Sequence, residues 1–197
     1  MIKIDEKHFE DILFGLIQTR EGVEKLKARG FDIEYEPFSV YYRQLNMGAY
    51  GIPDIVRVFF NSYSINIDVI ELKITDFNIS QLLQLGRYLS GVNHFIRDAH
   101  SLTDSGRIIT VRGFLMVAEF DSNNDYSWLS GMLRNEVCLY STHYNIDGLK
   151  FEKQFPGYWS KTDIKTHLNQ CVDIAALRNK FKQAYLKKQF TSDDLPF

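Results

Sequence analysis

One segment with the composition of a buried β-strand carries two charged residues near its end. Residues 65–74 are rich in β-branched residues, which favours a strand. Because side chains alternate along a strand, Glu71 and Lys73 share a face with the apolar Ile67 and Val69. Burying a carboxylate and an ammonium group in such a row is costly unless each has a partner. This strand end is therefore either an ordinary surface ion pair or a site that the fold supplies with partners.

The preceding segment offers a partner for Glu71. Residues 53–60 also favour a strand, and residues 61–64 are typical of a turn, which predicts a hairpin. With the turn centred in the middle of 61–64, Asp54 lies opposite Glu71. Two opposed carboxylates repel each other, so a retained pair implies a shared proton or a bound cation, and oxygen ligands suit Mg²⁺ or Mn²⁺. A loop one residue longer would shift the register and separate the two carboxylates.

The rest of the chain predicts further helices and strands in one domain. Apolar residues at helical spacing, or a capping residue, predict helices over 8–28, from Asn78 to about Ile96, over 126–134 and over 163–190. Alternating or β-branched segments predict strands over 31–45, 108–120, 137–140 and 149–155. The predicted fold class is α/β, with a mixed central β-sheet flanked by helices, and residues 1–197 form a single domain with a loose tail at 191–197.

Two motifs in this arrangement resemble those of a known family. Asp54 after Pro53, followed by Glu71-Leu72-Lys73 on the next strand, resembles the PD-(D/E)XK nuclease superfamily. Gln84 and Tyr88, on the next helix, match the QxxxY motif of its RecB-type branch. The resemblance covers about residues 8–120. It implies a restriction-endonuclease-like core over about 8–145, in which Gln84 and Tyr88 brace the site or contact the nucleic-acid strand.

The same resemblance implies a metal-dependent nuclease that hydrolyses phosphodiester bonds, with DNA as the expected substrate. By analogy, Asp54, Glu71 and the backbone carbonyl of Leu72 hold Mg²⁺ or Mn²⁺. Lys73 then positions or activates the attacking water, and the products carry 5′-phosphates. The family motifs do not decide between DNA and RNA or between cleavage at ends and internal cleavage.

Many relatives add a glutamate from the first helix to this metal site. Glu10 is the candidate here, and Glu21 and Glu24 compete with it. The sequence does not choose among the three, so none of them belongs to the predicted site.

Positive charge is concentrated towards the C-terminus. Residues 150–190 contain nine Lys and Arg against three acidic residues, although the whole chain has a formal net charge of −2. Clustered basic residues are typical of contacts with phosphates, and the basic helical segment at about 160–190 is therefore a candidate nucleic-acid interface. A solvated amphipathic helix would show the same pattern. The expected contact residues are Lys180, Lys182, Lys187 and Lys188.

Other classes of protein lack support in the sequence. The longest apolar run, 114–118, is far shorter than the ~20 residues of a membrane span, and residues 1–6 lack the apolar stretch of a signal peptide. We therefore expect no membrane association and a cytoplasmic location. Histidine spacings typical of zinc sites, Walker loops and GxSxG motifs are missing.

Two other functions remain open at this point. The chain could be a catalytically inactive nuclease-fold module that binds nucleic acid or a protein, although it retains Asp54, Glu71, Lys73 and Gln84. It could also be a structural protein whose acidic body meets a basic partner. A homodimer or a protein partner is compatible with each of these functions.

Overall fold

The computed structural model describes residues 5–60, 63–100, 106–121, 137–145, 148–155 and 170–189. The described chain contains four α-helices, one short 3₁₀ turn and seven β-strands. The helices are α1 (Glu6–Ile17), α2 (Arg20–Ala28), α3 (Ile79–Asp98) and α4 (Ile174–Gln189), and the 3₁₀ turn is Gly48–Tyr50. The strands are β1 (Val40–Arg43), β2 (Ile55–Phe60), β3 (Ser64–Leu72), β4 (Gly106–Val117), β5 (Val137–Asn145), β6 (Gly148–Phe155) and β7 (Gln170–Cys171).

Six strands form one mixed sheet in the order β1-β2-β3-β4-β5-β6. The outer pairs β1–β2, β2–β3 and β5–β6 are antiparallel, whereas β3–β4 and β4–β5 are parallel. The short β7 pairs with the start of β4 in antiparallel fashion. Because β3 and β4 are parallel, the chain between them must cross the sheet, and α3 makes this crossover. The predicted α/β class with a mixed sheet is confirmed.

Helices cover both faces of the sheet and bury two separate core layers. The first layer contains Val56, Ile67 and Val69 of the sheet with residues of α3 and α4. The second contains Ile70 and Leu72 with residues of α1 and α2. The side chains of β3 alternate between the two layers: the odd-numbered ones up to Val69 point towards α3, and the even-numbered ones from Ile70 point towards α1. This is expected for a strand that is buried on both faces.

Helix α3 begins at the predicted residue and by the predicted mechanism. The Asn78 side chain accepts a hydrogen bond from the backbone N–H of Ser80, and the Gln81 side chain accepts one from the backbone N–H of Asn78. This reciprocal capping satisfies backbone donors at the helix start that have no partner within the helix. The cap places the first turn of α3 shortly after the end of β3.

The single helix predicted over 8–28 is two helices. α1 ends at Ile17, and the Thr19 hydroxyl accepts a hydrogen bond from Gly22 N–H at 3.0 Å, which caps α2. A Cβ at Gly22 would lie 2.1 Å from the backbone oxygen of Leu16, so only glycine permits this sharp junction. The prediction was wrong because the apolar periodicity continues from α1 into α2. The cap at Thr19 nevertheless starts a second helix in a new direction.

Two other predicted elements are too long. The strand predicted over 31–45 is confined to β1, at its C-terminal end. The helix predicted over 163–190 begins only at Ile174, since Gln170–Cys171 form β7 and Asp173 caps the helix by accepting hydrogen bonds from Ala175 and Ala176 N–H. The short helix predicted over 126–134 and the tail 191–197 lie outside the described residues. None of the described helices is long and apolar enough to cross a membrane.

Candidate active site

The observed hairpin register brings Asp54 and Glu71 together. Strand β2 pairs with β3 from Phe60 opposite Ile65 to Ile55 opposite Ile70, the register that the sequence predicted. One step further along the same ladder, Asp54 comes opposite Glu71. Asp54 also bonds to the end of β3, because its Oδ2 accepts a hydrogen bond of 2.7 Å from the backbone N–H of Leu72.

Glu71 is a buried carboxylate with one unsatisfied oxygen. Its side chain is 1% exposed, and its Oε1 lies 2.8 Å from Lys73 Nζ. Its Oε2 has no hydrogen-bond partner among the described residues. A buried, unpaired carboxylate oxygen is costly unless a ligand supplies the missing interaction. Glu71 therefore has a free acceptor in the interior, next to a second carboxylate.

The electrostatics of the pair reflect burial and mutual repulsion. Burial and the charge of Asp54 raise the pKa of Glu71 to about 7, in spite of the hydrogen bond from Lys73. Burial also raises the pKa of Asp54, against the opposing effect of the hydrogen bond from Leu72 N–H. Two carboxylates in this environment do not both ionise readily, and a bound cation would favour the ionised form of each.

Lys73 is held at the edge of this pair as a cation. Its backbone N–H donates to Met116 O of β4 at 2.8 Å, and its Nζ also contacts Glu6 Oε1 of α1 at 3.3 Å. Burial alone would lower the pKa of Lys73, but the hydrogen bond to Glu71 and the charges of Glu71, Asp54 and Glu6 outweigh it and raise the pKa. Lys73 is thus an ammonium group at neutral pH rather than a base.

The backbone carbonyl of Leu72 belongs to the same corner of the sheet. The N–H and C=O of an extended residue point towards the same neighbouring strand, and the Leu72 N–H points to Asp54. The Leu72 side chain, in contrast, is buried in the core layer beneath α1. Leu72 therefore presents its main chain, and not its side chain, to the predicted site.

Helix α1 adds Glu10 to the neighbourhood. Glu10 is 7% exposed, and its Oε2 accepts a hydrogen bond of 3.0 Å from Gln44 Nε2, the atom that also donates to Asp54 Oδ1 at 2.9 Å. Its Oε1 accepts a hydrogen bond of 2.8 Å from Arg43 Nε. The sequence did not indicate Gln44 or Arg43, because both lie in the segment predicted as a plain strand. The other two glutamates are on the exposed side of α2, where Glu21 pairs with Lys25.

Gln84 and Tyr88 are bonded to each other on α3. The Gln84 side-chain amide donates to the Tyr88 hydroxyl, and Tyr88 is 2% exposed. Burial raises the pKa of Tyr88, and the charges of Glu71 and Asp54 raise it further, which puts Tyr88 within electrostatic reach of both carboxylates. Gly51 makes room for the ring, since a Cβ there would lie 2.7 Å from Tyr88 Cε1.

Gln81 precedes Gln84 by about one turn of α3, but its side chain does not contribute to the site. Its amide instead donates to Thr75 Oγ1 and to Asp76 O, and its carbonyl oxygen caps the helix. Its role in the structure is therefore to hold the start of α3.

The basic helix α4 packs along β2. Arg178 lies over the ring of Phe60 at the far end of β2, and Phe181 stacks on Tyr42, whose strand partner is Val56. The helix therefore advances towards the end of the sheet where Asp54 lies. Lys180 forms an ion pair of 2.6 Å with Asp98, whereas Lys182 is exposed. The side chains of Lys187 and Lys188 lie outside the described residues, although their backbone continues the helix.

The candidate site offers two carboxylates and a backbone carbonyl as possible ligands for a divalent cation. Within the described ranges, no group of three or more His, Cys, Asp or Glu side chains has the arrangement of a metal site. The two carboxylates and the Leu72 carbonyl are nevertheless oxygen donors of the kind that Mg²⁺ prefers, and this ion commonly keeps several waters. The unsatisfied Oε2 of Glu71 fits such a cation.

No protein-family model and no curated protein sequence matches this chain.

Proposed function

We propose that this chain is a metal-dependent nuclease of the restriction-endonuclease-like fold that hydrolyses phosphodiester bonds in DNA. The observation that carries the proposal is the buried Oε2 of Glu71, which has no described hydrogen-bond partner and stands beside Asp54 and Lys73. A buried carboxylate with a purely structural role would be expected to have a hydrogen-bond donor for each oxygen. A ligand-binding carboxylate has a reason to keep one of them free.

The fold and topology support the same proposal. An antiparallel β2–β3 pair, a helical crossover and a parallel β4 follow one another, and the carboxylates lie where the pair ends. The hydrogen-bonded Gln84 and Tyr88 stand on the crossover helix near the carboxylates, where the family resemblance puts them. Each of these features lies at or next to the residues whose motifs resemble the family.

The proposed mechanism divides the work between the carboxylates and Lys73. Asp54, Glu71 and the Leu72 carbonyl would hold Mg²⁺ or Mn²⁺, which when bound neutralises phosphate charge and makes a bound water more acidic. Lys73, which remains protonated, donates hydrogen bonds to the attacking water or to a phosphate oxygen and offsets the negative charge that develops. Its raised pKa argues against a role as the general base.

The basic face of α4 would bind the nucleic-acid backbone. Exposed Lys182 is available for a phosphate, and the helix runs towards the site end of the sheet. Lys180 can contribute only by exchanging its pairing with Asp98 for a phosphate. Contacts of this type carry no base sequence information, so cleavage is expected to depend on strand structure or ends.

The test is cleavage of end-labelled single-stranded, duplex and branched DNA, with an RNA control, in Mg²⁺, Mn²⁺ or EDTA. Glu71→Ala and Lys73→Ala are expected to slow metal-dependent cleavage by at least about 10²-fold, since each removes a charged group from the site. Glu152→Gln is the matched control. It alters an exposed glutamate on β6, at the opposite edge of the sheet, and should leave the rate unchanged.

The result that contradicts the proposal is equally specific. If the wild-type protein cleaves none of these substrates, and calorimetry shows no Mn²⁺ binding that depends on Asp54 and Glu71, the catalytic proposal is wrong. An inactive nuclease-fold module that binds nucleic acid or a protein would then be the better interpretation.

A further inference from the structure

Gln44 is held against Asp54 by both its main chain and its side chain. It follows β1 directly, and its backbone N–H donates to Asp54 O at 2.7 Å. Its φ is +51°, a left-handed conformation that is uncommon outside glycine and that concentrates at functional sites. The Gln44 side chain contacts Asp54 and Glu10.

The Gln44 amide nitrogen joins two acidic side chains from different elements. The same Nε2 donates to Asp54 Oδ1 at 2.9 Å and to Glu10 Oε2 at 3.0 Å. An amide NH₂ has two hydrogens, so both are used. Glu10 lies on α1 and Asp54 at the start of β2, and Gln44 is the described residue that bonds to both.

The remaining oxygens of these two carboxylates are also occupied. Glu10 Oε1 accepts from Arg43 Nε, and Asp54 Oδ2 accepts from Leu72 N–H. Among the described partners, Glu71 Oε2 is therefore the one oxygen of the three carboxylates that accepts no hydrogen bond. Arg43 in addition contacts Asp11 and lies over the ring of Phe14, so its guanidinium is fixed against Glu10 from several sides.

We propose that the Gln44 amide occupies the position of a second cation between Glu10 and Asp54, so that the site binds a single divalent ion through Glu71 and Asp54. This inference rests on the proposed metal-dependent function. Two-metal sites place their ions about 3.5–4 Å apart and need carboxylates that serve both. A cation between Glu10 and Asp54 would meet the hydrogens of an amide whose nitrogen already stands there.

The single-ion site has a chemical consequence. The second positive charge near the scissile phosphate then comes from the Lys73 ammonium, which is fixed by Glu71 and Glu6. Gln44 is a positioning residue in this scheme: it holds Asp54 in place and removes Glu10 from the set of ligands. Glu10 contributes through Gln44 and not by direct contact with the metal.

Calorimetric titration of the full chain with Mn²⁺ measures the number of ions directly, and electron paramagnetic resonance of the loaded protein distinguishes isolated from coupled ions. We expect about one Mn²⁺ per chain and a spectrum without coupling between ions. Gln44→Glu replaces the amide by a third carboxylate at the same place and should raise the stoichiometry to about two, with a coupled spectrum. Circular dichroism monitors folding.

Gln44→Gly provides a second route to the same measurement. Glycine adopts a positive φ without strain, so this variant keeps the backbone while it frees Glu10 Oε2 and Asp54 Oδ1. It should also take up a second ion. Two ions in the wild-type protein, or a single ion in every folded Gln44 variant, would overturn the inference and leave the metal site intact. No Mn²⁺ binding by the wild-type protein would overturn both this inference and the proposed function.

Discussion

The strand pair β2–β3 carries two sets of buried charges that differ in how completely they are satisfied. In the middle of the pair, Arg57 lies opposite Asp68, and Asp68 in turn lies opposite Arg112 of β4. At the end of the pair, Asp54 and Glu71 meet. Both sets follow from the same β2–β3 register, yet one set is balanced and the other is not.

The central triad satisfies its carboxylate completely. Asp68 is 1% exposed and accepts hydrogen bonds from Arg57 and Arg112, the latter at 2.6 Å from Nε to Oδ1 and 3.0 Å from NH2 to Oδ2. Arg57 also donates a hydrogen bond to the backbone oxygen of Glu34. Each oxygen of Asp68 therefore accepts at least one hydrogen bond from a guanidinium group.

The two sets differ in how their charges are balanced. A carboxylate between two guanidinium groups is stabilised in its ionised form and closes a polar row inside the core. Two adjacent carboxylates with one lysine carry excess negative charge and an unpaired oxygen, an arrangement that costs stability in the absence of a ligand. The first set stabilises the sheet by itself, whereas the second contains an unpaired oxygen that the proposed metal ion would satisfy.

The largest expected effect comes from breaking the balanced set. Asp68→Asn would leave the buried Arg57 and the half-buried Arg112 without their counter-charge and should lower the free energy of unfolding by about 3–5 kcal/mol. Urea denaturation followed by circular dichroism measures this change. Glu152→Gln, which removes an exposed carboxylate on β6, should have little effect. A loss as small as that of the control would show that the triad is not what stabilises this part of the sheet.

Removing the charge of Glu71 should raise the free energy of unfolding at neutral pH, whereas removing that of Asp68 should lower it. The pKa of Glu71 is about 7 in the folded protein and is expected near its ordinary value of 4.5 in the unfolded chain. Between these values the folded state binds the extra proton, so the wild-type protein should lose stability as the pH rises from 5 to 8 in EDTA. Glu71→Gln removes this titration, and its stability relative to wild type should increase over that window by on the order of 2–3 kcal/mol.

Denaturation of both proteins at pH 5, 6, 7 and 8 without metal gives this difference. A difference that stays constant with pH would mean that Glu71 ionises normally in the folded protein. Excess Mn²⁺ provides an internal check, because a ligand that binds only the folded state should restore the stability of wild type more than that of the variant.

The sequence predicts those parts of the molecule that depend on nearby residues. The hairpin turn determines the β2–β3 register, and that register alone places Asp54 by Glu71 and would also have placed Arg57 opposite Asp68. The cap at Asn78 and the spacing of Gln84 and Tyr88 are likewise local, and both reappear in the structure. A turn or a cap is formed by a few neighbouring residues, so the sequence alone predicts the strand register or the helix start that it sets.

The remaining features depend on contacts between distant elements. Gln44 joins Glu10 to Asp54 only because β1 ends in a left-handed residue and α1 packs over the same sheet edge. Lys73 and Glu6 pair although they are 67 positions apart, and the chain between them forms two helices and three strands. No periodicity in a single segment encodes either contact, so the choice of Glu10 over Glu21 and Glu24 required the fold.

The smallest expected effect concerns charges that are neither buried nor balanced. Exposed Lys182 on α4 should contribute little to stability, and Lys182→Ala is expected to unfold like the wild-type protein. If α4 follows a DNA backbone, the same variant should reduce the slope of log K, where K is the DNA-binding constant, against log salt concentration by about 0.7–0.9, the share of one phosphate contact.

Fluorescence anisotropy with labelled DNA in Ca²⁺ at several salt concentrations measures the slope. Lys25→Ala is the control, since Lys25 is exposed on α2 and faces Glu21. Equal slopes for both variants would show that the basic helix is a solvated surface. The proposed ligand-binding charges would then be only the buried ones, Asp54 and Glu71.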